Sequence, residues 1–251
     1  MLHTLAFILG RYNVNDLDRF FSLYTSRYGK LKGFAKSVRR PLSKLAPHLE
    51  LGLLSQVTLA RGRRGWQLIG AQNINSFTVL RADYHKLTIA LQALKMVDLV
   101  TREESPDKNL FQLLITLFKA LNQPETKNET ELTLLGMMFQ WQVLRALGVT
   151  PRLKHCLGCR RALGDQEVSW LTSERAGVFC DGCVTAEILA MRLTPANRQW
   201  LAWLLNNNFT AVRAVSLPSP QQHELAFLVQ SFLQYQAESP VSRPMVAVVS
   251  A

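Results

Sequence analysis

The sequence predicts an α+β chain of several domains: an amino-terminal five-stranded β-barrel, then an α-helical domain that a four-cysteine metal module interrupts. Three observations predict it. Short strand-like segments fill residues 1–80, apolar residues recur at helical spacing after Asp83, and all four cysteines lie between Cys156 and Cys183. With 251 residues, 48% hydrophobic and 19% charged, the chain can bury a sizeable core.

Five segments rich in aromatic and branched residues predict the strands of the barrel. They are LAFILGRY (5–12), RFFSLYTSRY (19–28), LKGFAKSV (31–38), LLSQVTLARG (53–62) and GWQLIGAQNI (65–74). Five short strands in so small a region favour a closed barrel, and an OB-fold is the natural candidate. An SH3-like barrel fits the same strand count.

Five helices are predicted after the barrel, three before the cysteines and two after them. We expect the two groups to form one bundle, with the cysteine segment as an excursion from it. Residues 239–251 are expected to be irregular. The predicted helix boundaries are Ser105 as N-cap with Pro106 next, Gly148 as a C-terminal stop, and starts at Thr194-Pro195 and Ser219-Pro220.

These elements divide the chain into three predicted domains. Residues 1–80 form the barrel, 81–150 and 186–240 form the helical domain, and 151–185 form the cysteine module inserted in it.

The four cysteines are spaced C-x2-C-x20-C-x2-C, which indicates a tetrahedral zinc site with one ion per chain. The predicted ligands are Cys156, Cys159, Cys180 and Cys183. A redox centre would use a single C-x-x-C, and two disulfides would need an oxidising compartment. A closed Cys₄ site has no open position at which to activate water, so the metal is expected to be structural. The glycines at 158, 177 and 182 fit tight turns, and His155 is interpreted as a bystander.

Most of the net charge of +11 lies in the barrel region. Residues 1–80 hold eight Arg and four Lys against three acidic residues, a net charge of +9, which favours a polyanionic partner such as nucleic acid. A solvated basic face is the simpler alternative. The candidate DNA-binding residues are Arg27, Lys30, Lys32, Lys36, Arg39, Arg40, Lys44, Arg61, Arg63 and Arg64. Tyr12, Tyr28 and Phe34 are candidates for stacking on bases.

No catalytic signature is present: the ATP loop, H-E-x-x-H and G-x-S-x-G are all absent. The sequence therefore predicts a protein that is not an enzyme. No apolar run is long enough for a membrane span, and no basic region precedes the short apolar run at the start. We expect a cytoplasmic location.

Motifs along the chain are similar to those of one bacterial protein family. The amino-terminal part is similar to the family pattern Y-x-E-x-D, T-x-x-x-G-K and A-K-G-x-R-[RK]-x-x-S, and FQWQVLRALGVTPRLKHCLGC and AGVFCDGC are similar to the family's later motifs. The matching amino-terminal positions are Tyr12, Asp16, Thr25, Gly29, Lys30, Ala35, Lys36, Arg39, Arg40 and Ser43. Over nearly its whole length the chain thus resembles the RecO family of bacterial recombination mediators. Val14 and Ser37 depart from the family's Glu and Gly, and LELGLL replaces its LQPF.

The resemblance implies an OB domain, a helical domain and a zinc module. It implies binding to single- and double-stranded DNA, and annealing of complementary strands without ATP in DNA repair at the nucleoid. It also implies partners: RecR, in some pathways RecF, RecA, and the acidic, apolar C-terminal tail of single-stranded DNA-binding protein. With RecR, and in some pathways RecF, the protein would help RecA replace single-stranded DNA-binding protein.

Two other functions fit the same residues. An OB barrel with a zinc ribbon also serves in RNA-binding proteins of translation or transcription. A zinc hydrolase is the third hypothesis, which the closed ligand set disfavours.

Overall fold

Five strands close into a barrel in the computed structural model, which describes residues 1–63, 65–126 and 128–238. Around the barrel the order is β1-β2-β3-β5-β4, and β1 also pairs with β4. The predicted five-stranded barrel, and with it the fold class, is confirmed. The strands are β1 (Leu2–Asn13), β2 (Arg19–Thr25), β3 (Gly29–Ala35), β4 (Leu54–Gly62) and β5 (Gly65–Asn75).

Alternating side chains of the strands separate a buried barrel interior from its outer face. On β2 and β3, Phe21, Leu31 and Ala35 belong to the interior core. Since successive residues of a strand point to opposite faces, their neighbours Phe20 and Phe34 lie on the outside. β3 pairs with β2 along its whole length but with β5 at only two positions, both in its second half.

Three helices pack with the barrel in the first of two units, whose boundary falls between residues 127 and 128. An aromatic cluster joins strand to helices: the Phe7 ring lies 4.8 Å from Phe118 and 5.8 Å from Phe111, centroid to centroid. These rings are fully buried, which removes the outer face of β1 from water at this point. The helices are α1 (Thr78–Ala82), α2 (Tyr84–Val100) and α3 (Lys108–Leu121).

The predicted start of α3 at Ser105 is wrong by two residues. Asp107 is the N-cap, because its side chain accepts hydrogen bonds from the backbone N–H groups of Asn109 (2.8 Å) and Leu110 (3.1 Å). Ser105 and Pro106 precede the helix in an extended segment. The short helix α1 was not predicted.

The second unit combines three helices with a small sheet of order β6-β8-β7-β9. Its core includes Trp141 of α4 against Phe232 of α6, with ring centroids 5.1 Å apart. Thr194 caps α5 as predicted, and Gly148 follows α4 with φ +82°. The elements are α4 (Glu129–Ala146), β6 (Arg152–Cys156), β7 (Ser169–Thr172), β8 (Gly177–Cys180), β9 (Met191–Leu193), α5 (Pro195–Asn206) and α6 (Ser219–Glu238).

The division into units falls elsewhere than the predicted domain boundaries. Contacts group α1–α3 with the barrel, whereas the sequence assigned residues 81–150 and 186–240 to one helical domain. The three predicted domains stay a prediction, and the irregular tail at 239–251 lies outside the described residues. In the part of the chain that the structure describes, no helix is long and apolar enough to cross a membrane.

Candidate nucleic-acid interface and metal centre

The four cysteines come together in the second unit. Cys156 ends β6 and Cys180 ends β8, and each is followed by a turn that brings back Cys159 or Cys183. All four sulfur atoms lie within 4.8 Å of one another. The residues predicted as ligands are therefore close enough to hold one metal ion.

The arrangement of the sulfurs fits a tetrahedral thiolate site. Zn–S bonds of about 2.3 Å place neighbouring sulfurs about 3.8 Å apart, and Cys159 Sγ lies 3.9 Å from Cys180 Sγ. Backbone N–H groups of Gly158 and Cys180 each donate to Cys156 Sγ at 3.3 Å. Burial opposes ionisation of this thiol, but these donors lower the pKa of Cys156 to about 6. The backbone thus favours the thiolate form that a soft divalent cation needs.

Close packing explains two of the three glycines that were predicted to fit tight turns. A Cβ on Gly158 would lie 2.9 Å from Cys183 Cβ, and a Cβ on Gly177 would lie 2.9 Å from a methyl carbon of Leu157. A Cβ on Gly182 would have nothing within 4 Å, so space does not require glycine there. His155 is exposed and does not belong to the sulfur cluster, in agreement with its interpretation as a bystander.

Seven of the ten basic candidates fall into two structural groups on the barrel and its loops, and three stand apart from them. Arg27 and Arg63 are exposed in the β2–β3 and β4–β5 turns, and Arg64 lies outside the described residues. Lys30, Lys32 and Arg61 contact acidic residues of the first unit. Lys36, Arg39, Arg40 and Lys44 are exposed in the loop between β3 and β4, which we call the β3–β4 loop (36–53).

Lys30 has an internal partner. Its Nζ lies 2.8 Å from Asp98 Oδ1 and also contacts the Asp98 backbone oxygen, while Ser22 Oγ donates to the same carboxylate at 2.7 Å. Only 15% of the Lys30 side chain and 20% of the Asp98 side chain are exposed. This pair joins β3 to α2 and holds the Lys30 ammonium against Asp98.

Lys32 and Arg61 form looser pairs with the residues that follow α2. Lys32 Nζ lies 2.6 Å from Glu103, which raises the pKa of Lys32, and both side chains are more than half exposed. Arg61 lies 4.0 Å from Glu104 and stacks over the Trp66 ring at 4.9 Å from its centroid. Such exposed pairs contribute little to stability.

The β3–β4 loop presents the other group of cations. Within the described part of the chain, Lys36, Arg40 and Lys44 form no ion pair. Arg39 donates to the Asn15 backbone oxygen at 2.9 Å, which ties this loop to the β1–β2 turn. Ser37, with φ +55°, donates its backbone N–H to Asp18 at 2.7 Å and holds the pKa of that carboxyl below its usual range.

Three aromatic residues form a row across the outer face beside this loop. Tyr12 of β1 lies opposite Phe20 of β2, which lies opposite Phe34 of β3. The Phe20 and Phe34 rings are 5.3 Å apart, and 57% of Tyr12 and 37% of Phe20 is exposed. We call these three residues the aromatic row.

Sequence reasoning found two members of the aromatic row and missed the third. Tyr12 and Phe34 were candidates for stacking, but Tyr28 packs against the barrel core. Phe20 was missed because a hydrophobic residue in a strand is usually part of the core. Its position next to the buried Phe21 was the available signal, since adjacent strand residues face opposite sides.

A cavity of about 710 Å³ lies in the second unit beside the metal centre. Apolar side chains of β6 and α5, among them Leu153 and Leu205, line part of it, and the cations Arg152, Lys154 and Arg160 are among its other lining residues. No acidic residue is among its described lining residues. Its size is that of a typical ligand pocket, and its charge fits an acidic, partly apolar ligand.

Comparison with known families identifies matches along most of the chain. Residues 1–77 match the family described as "Recombination protein O N terminal", and residues 81–244 match "Recombination protein O C terminal".

Individual relatives agree with the family matches. A protein of Dehalococcoides mccartyi strain 195 named "DNA repair protein RecO" is 33% identical over 72% of this chain and 69% of its own length. A protein with the same name from strain BAV1 is 29% identical over 94% of this chain and 90% of its own length. The one from Desulforamulus reducens is 25% identical over 93% and 88%.

Proposed function

Because the chain belongs to the RecO family of DNA repair proteins, we propose that it is a recombination mediator that binds and anneals single-stranded DNA without ATP. In this proposal it acts with RecR and RecF in the cytoplasm, at the nucleoid, and helps RecA replace single-stranded DNA-binding protein. It works by binding strands and does no bond chemistry of its own.

One observation carries the DNA-binding part of the proposal: the aromatic row adjoins the β3–β4 loop and its exposed cations. Stacking on an exposed ring is available to every base, and lysine or arginine side chains neutralise the neighbouring phosphates. Phe20 and Phe34 would hold bases, while Lys36, Arg40 and Lys44 would hold the backbone. A strand bound in this way is neutralised along one side, which lowers its repulsion toward a complementary strand.

The structure changes which candidates we assign to phosphate binding. Lys30 is left out because Asp98 already engages it with little exposure. Arg39 is assigned to positioning the loop, since it donates to the Asn15 backbone. Arg27, Lys32, Arg61 and Arg63 remain candidates at the edge of the surface, and double-stranded DNA would use the same cations.

The metal is proposed to be a single structural zinc ion held by Cys156, Cys159, Cys180 and Cys183. Support comes from the fit of the four sulfurs to a thiolate tetrahedron. With four protein ligands no position is left for water, so the ion would supply folding energy only.

The cavity of the second unit is proposed to receive the acidic, apolar C-terminal tail of single-stranded DNA-binding protein. An acidic tail needs cations at the rim and an apolar floor, and both are present. A fluorescent peptide with the sequence of that tail should bind the protein. Arg152→Glu with Lys154→Glu should weaken it at least tenfold, whereas Arg175→Glu, exposed outside the cavity lining, should not. Equal binding by all three proteins would exclude this cavity.

Strand annealing tests the proposed function. Complementary DNA strands coated with single-stranded DNA-binding protein are mixed with the protein in the absence of ATP, and duplex formation is followed by energy transfer between end labels. We expect annealing by the wild type and its loss in Lys36→Glu/Arg40→Glu/Lys44→Glu. Absence of annealing, together with preference for RNA over matched DNA in competition binding, would instead support an RNA-binding protein.

A further inference from the structure

The segment that runs from the last turn of α2 to the N-cap of α3, residues 98–107, carries four carboxylates. Its sequence, DLVTREESPD, includes Asp98, Glu103, Glu104 and Asp107. We call it the acidic segment. Three of these carboxylates contact a cation of the barrel, and all three of those cations were candidates for binding phosphate.

Backbone contacts hold the acidic segment on β3. Glu104 N–H donates to the Lys30 backbone oxygen at 2.9 Å, and Lys30 and Glu103 form a parallel bridge. A Cβ on Gly29 would lie 2.4 Å from the Ser105 backbone. The acidic segment and β3 are therefore in contact at Gly29, where the absence of a side chain leaves room. Glu104 has φ +55°, a conformation that residues other than glycine adopt at an energetic cost. The segment is therefore fixed in position over the start of β3.

The three ion pairs differ in exposure: one is mostly buried and holds the segment in place, and two are exposed and can be replaced by other contacts. The pair of Lys30 with Asp98 is mostly buried and satisfied by Ser22, so opening it would leave charges unpaired away from water. The pair of Lys32 with Glu103 has side chains 62% and 51% exposed, and that of Arg61 with Glu104 has 68% and 66%. Exposed pairs exchange partners at low cost, because water screens them in either state.

The replaceable carboxylates lie on the approach to the proposed DNA surface. On β3, Lys32 precedes Phe34 of the aromatic row by two residues and so projects from the same face. Glu104 also contacts Trp66, whose Nε1 donates a hydrogen bond to the Glu104 carboxylate at 3.4 Å, and Trp66 pairs with Gly33. Carboxylate oxygens thus occupy sites on Lys32 and Arg61 that phosphate oxygens of a strand crossing β3 would take.

We propose that the acidic segment is a built-in competitor for DNA, in which Glu103 and Glu104 occupy Lys32 and Arg61 until a strand displaces them. The inference rests on the proposed function, since it assumes that DNA binds this face. Binding then exchanges carboxylate contacts for phosphate contacts, so affinity stays below what the basic barrel alone would give. The same exchange works in reverse: as a strand leaves, the glutamates return and assist its release.

The test compares Glu103→Gln/Glu104→Gln with wild type and with Asp165→Asn/Glu174→Gln. The control variant removes the same number of negative charges from exposed sites in the second unit, whereas the acidic segment belongs to the first. Binding of fluorescent oligo-dT is measured by anisotropy over a range of salt concentrations. We expect the first variant to bind about 2- to 10-fold more tightly at low salt, with a log–log salt slope steeper by about 1.4 and convergence at high salt. The control should shift affinity less than twofold.

Three outcomes separate the inference from the proposed function. If the wild type does not bind oligo-dT, the proposed function fails. If it binds but the two variants have the same affinity and salt slope, the carboxylates act only through net charge, and the inference that the acidic segment competes with DNA is wrong. A direct readout is the indole N–H resonance of Trp66: saturating oligo-dT should shift it in the wild type, and the shift should be much smaller in Glu103→Gln/Glu104→Gln. If saturating oligo-dT does not change the chemical shift of the Trp66 indole N–H in the wild type, the inference is also overturned.

Discussion

The rings of Phe20 and Phe34 lie 5.3 Å apart on neighbouring strands of the barrel's outer face. If they hold bases, Phe34→Ala should weaken binding of single-stranded DNA by about 1–3 kcal/mol, since one stacking partner is lost. The salt slope should not change, because no charge is removed. Anisotropy with oligo-dT measures both quantities. Phe227→Ala, also strongly exposed but on α6, is the control and should bind normally.

The cations of the β3–β4 loop should show the opposite signature. Lys36→Ala/Arg40→Ala/Lys44→Ala should lower the magnitude of the log–log salt slope by about 2, because each phosphate neutralised on a single strand contributes about 0.7. Since these residues form no ion pair with a described residue, the melting temperature should stay nearly constant. An unchanged slope would show that the strand binds elsewhere.

Lys30 should matter for stability rather than for DNA. Lys30→Met leaves the largely buried Asp98 without its cation and should cost about 1–3 kcal/mol of unfolding free energy. Denaturant unfolding measures this loss. Adding Asp98→Asn should recover part of it, because the unpaired charge is then gone. If Lys30→Met is as stable as the wild type but binds DNA more weakly, Lys30 belongs with the phosphate-binding residues.

Metal removal should unfold the cysteine module. Metal analysis should find one zinc ion per chain in the wild type and none in Cys159→Ser/Cys183→Ser. Because the apparent binding free energy of a structural zinc is on the order of 10 kcal/mol, its loss should abolish protection of β6 and β8 amides against hydrogen exchange. Protection of β1–β5 should persist. Full protection of β8 after chelation would show that the sulfurs pack without needing a cation.

Ser37 is strained in a way that glycine would relieve. Its φ of +55° is unfavourable for a residue with a Cβ, so Ser37→Gly should stabilise the protein by up to about 1 kcal/mol. Thermal unfolding should show a melting temperature higher by roughly 2–4 °C. Lys36→Gly, one residue earlier and without a positive φ, should instead lower it. The prediction follows from geometry, although the family pattern also has Gly at this position.

Local sequence patterns were enough to predict the five barrel strands, the five long helices and the cysteine cluster, but not α1 or the strands β6–β9. Segments rich in aromatic and branched residues placed the five barrel strands, and Thr194 with Pro195 placed the start of α5. To form one cluster, the two C-x-x-C pairs only have to be brought side by side, and the parallel pairing of β6 with β8 does this. The strands and the helix start depend on residues that are neighbours in sequence. The cysteine cluster depends on a ligand spacing that few sites other than metal sites use.

Contacts between distant residues were not predictable in the same way. Lys30 belongs to a basic run, and nothing near it in sequence shows that Asp98 neutralises it. The aromatic row depends on the register of three strands, including the irregularity in β1 between Ile8 and Gly10. The grouping of α1–α3 with the barrel likewise arises from which apolar faces meet, such as Phe7 with Phe118.

The acidic segment has a second consequence, which concerns aggregation. β5 pairs with β3 only at Gly33 and Phe34, so the first half of β3 would otherwise offer unpaired backbone groups to another chain. The bond from Glu104 N–H to the Lys30 backbone oxygen covers that edge. Deleting residues 101–105 should therefore produce concentration-dependent oligomers, seen by light scattering, where neutralising the two glutamates does not. The side chains of this segment would then assist the release of DNA, whereas its backbone would keep the edge of β3 from pairing with another chain.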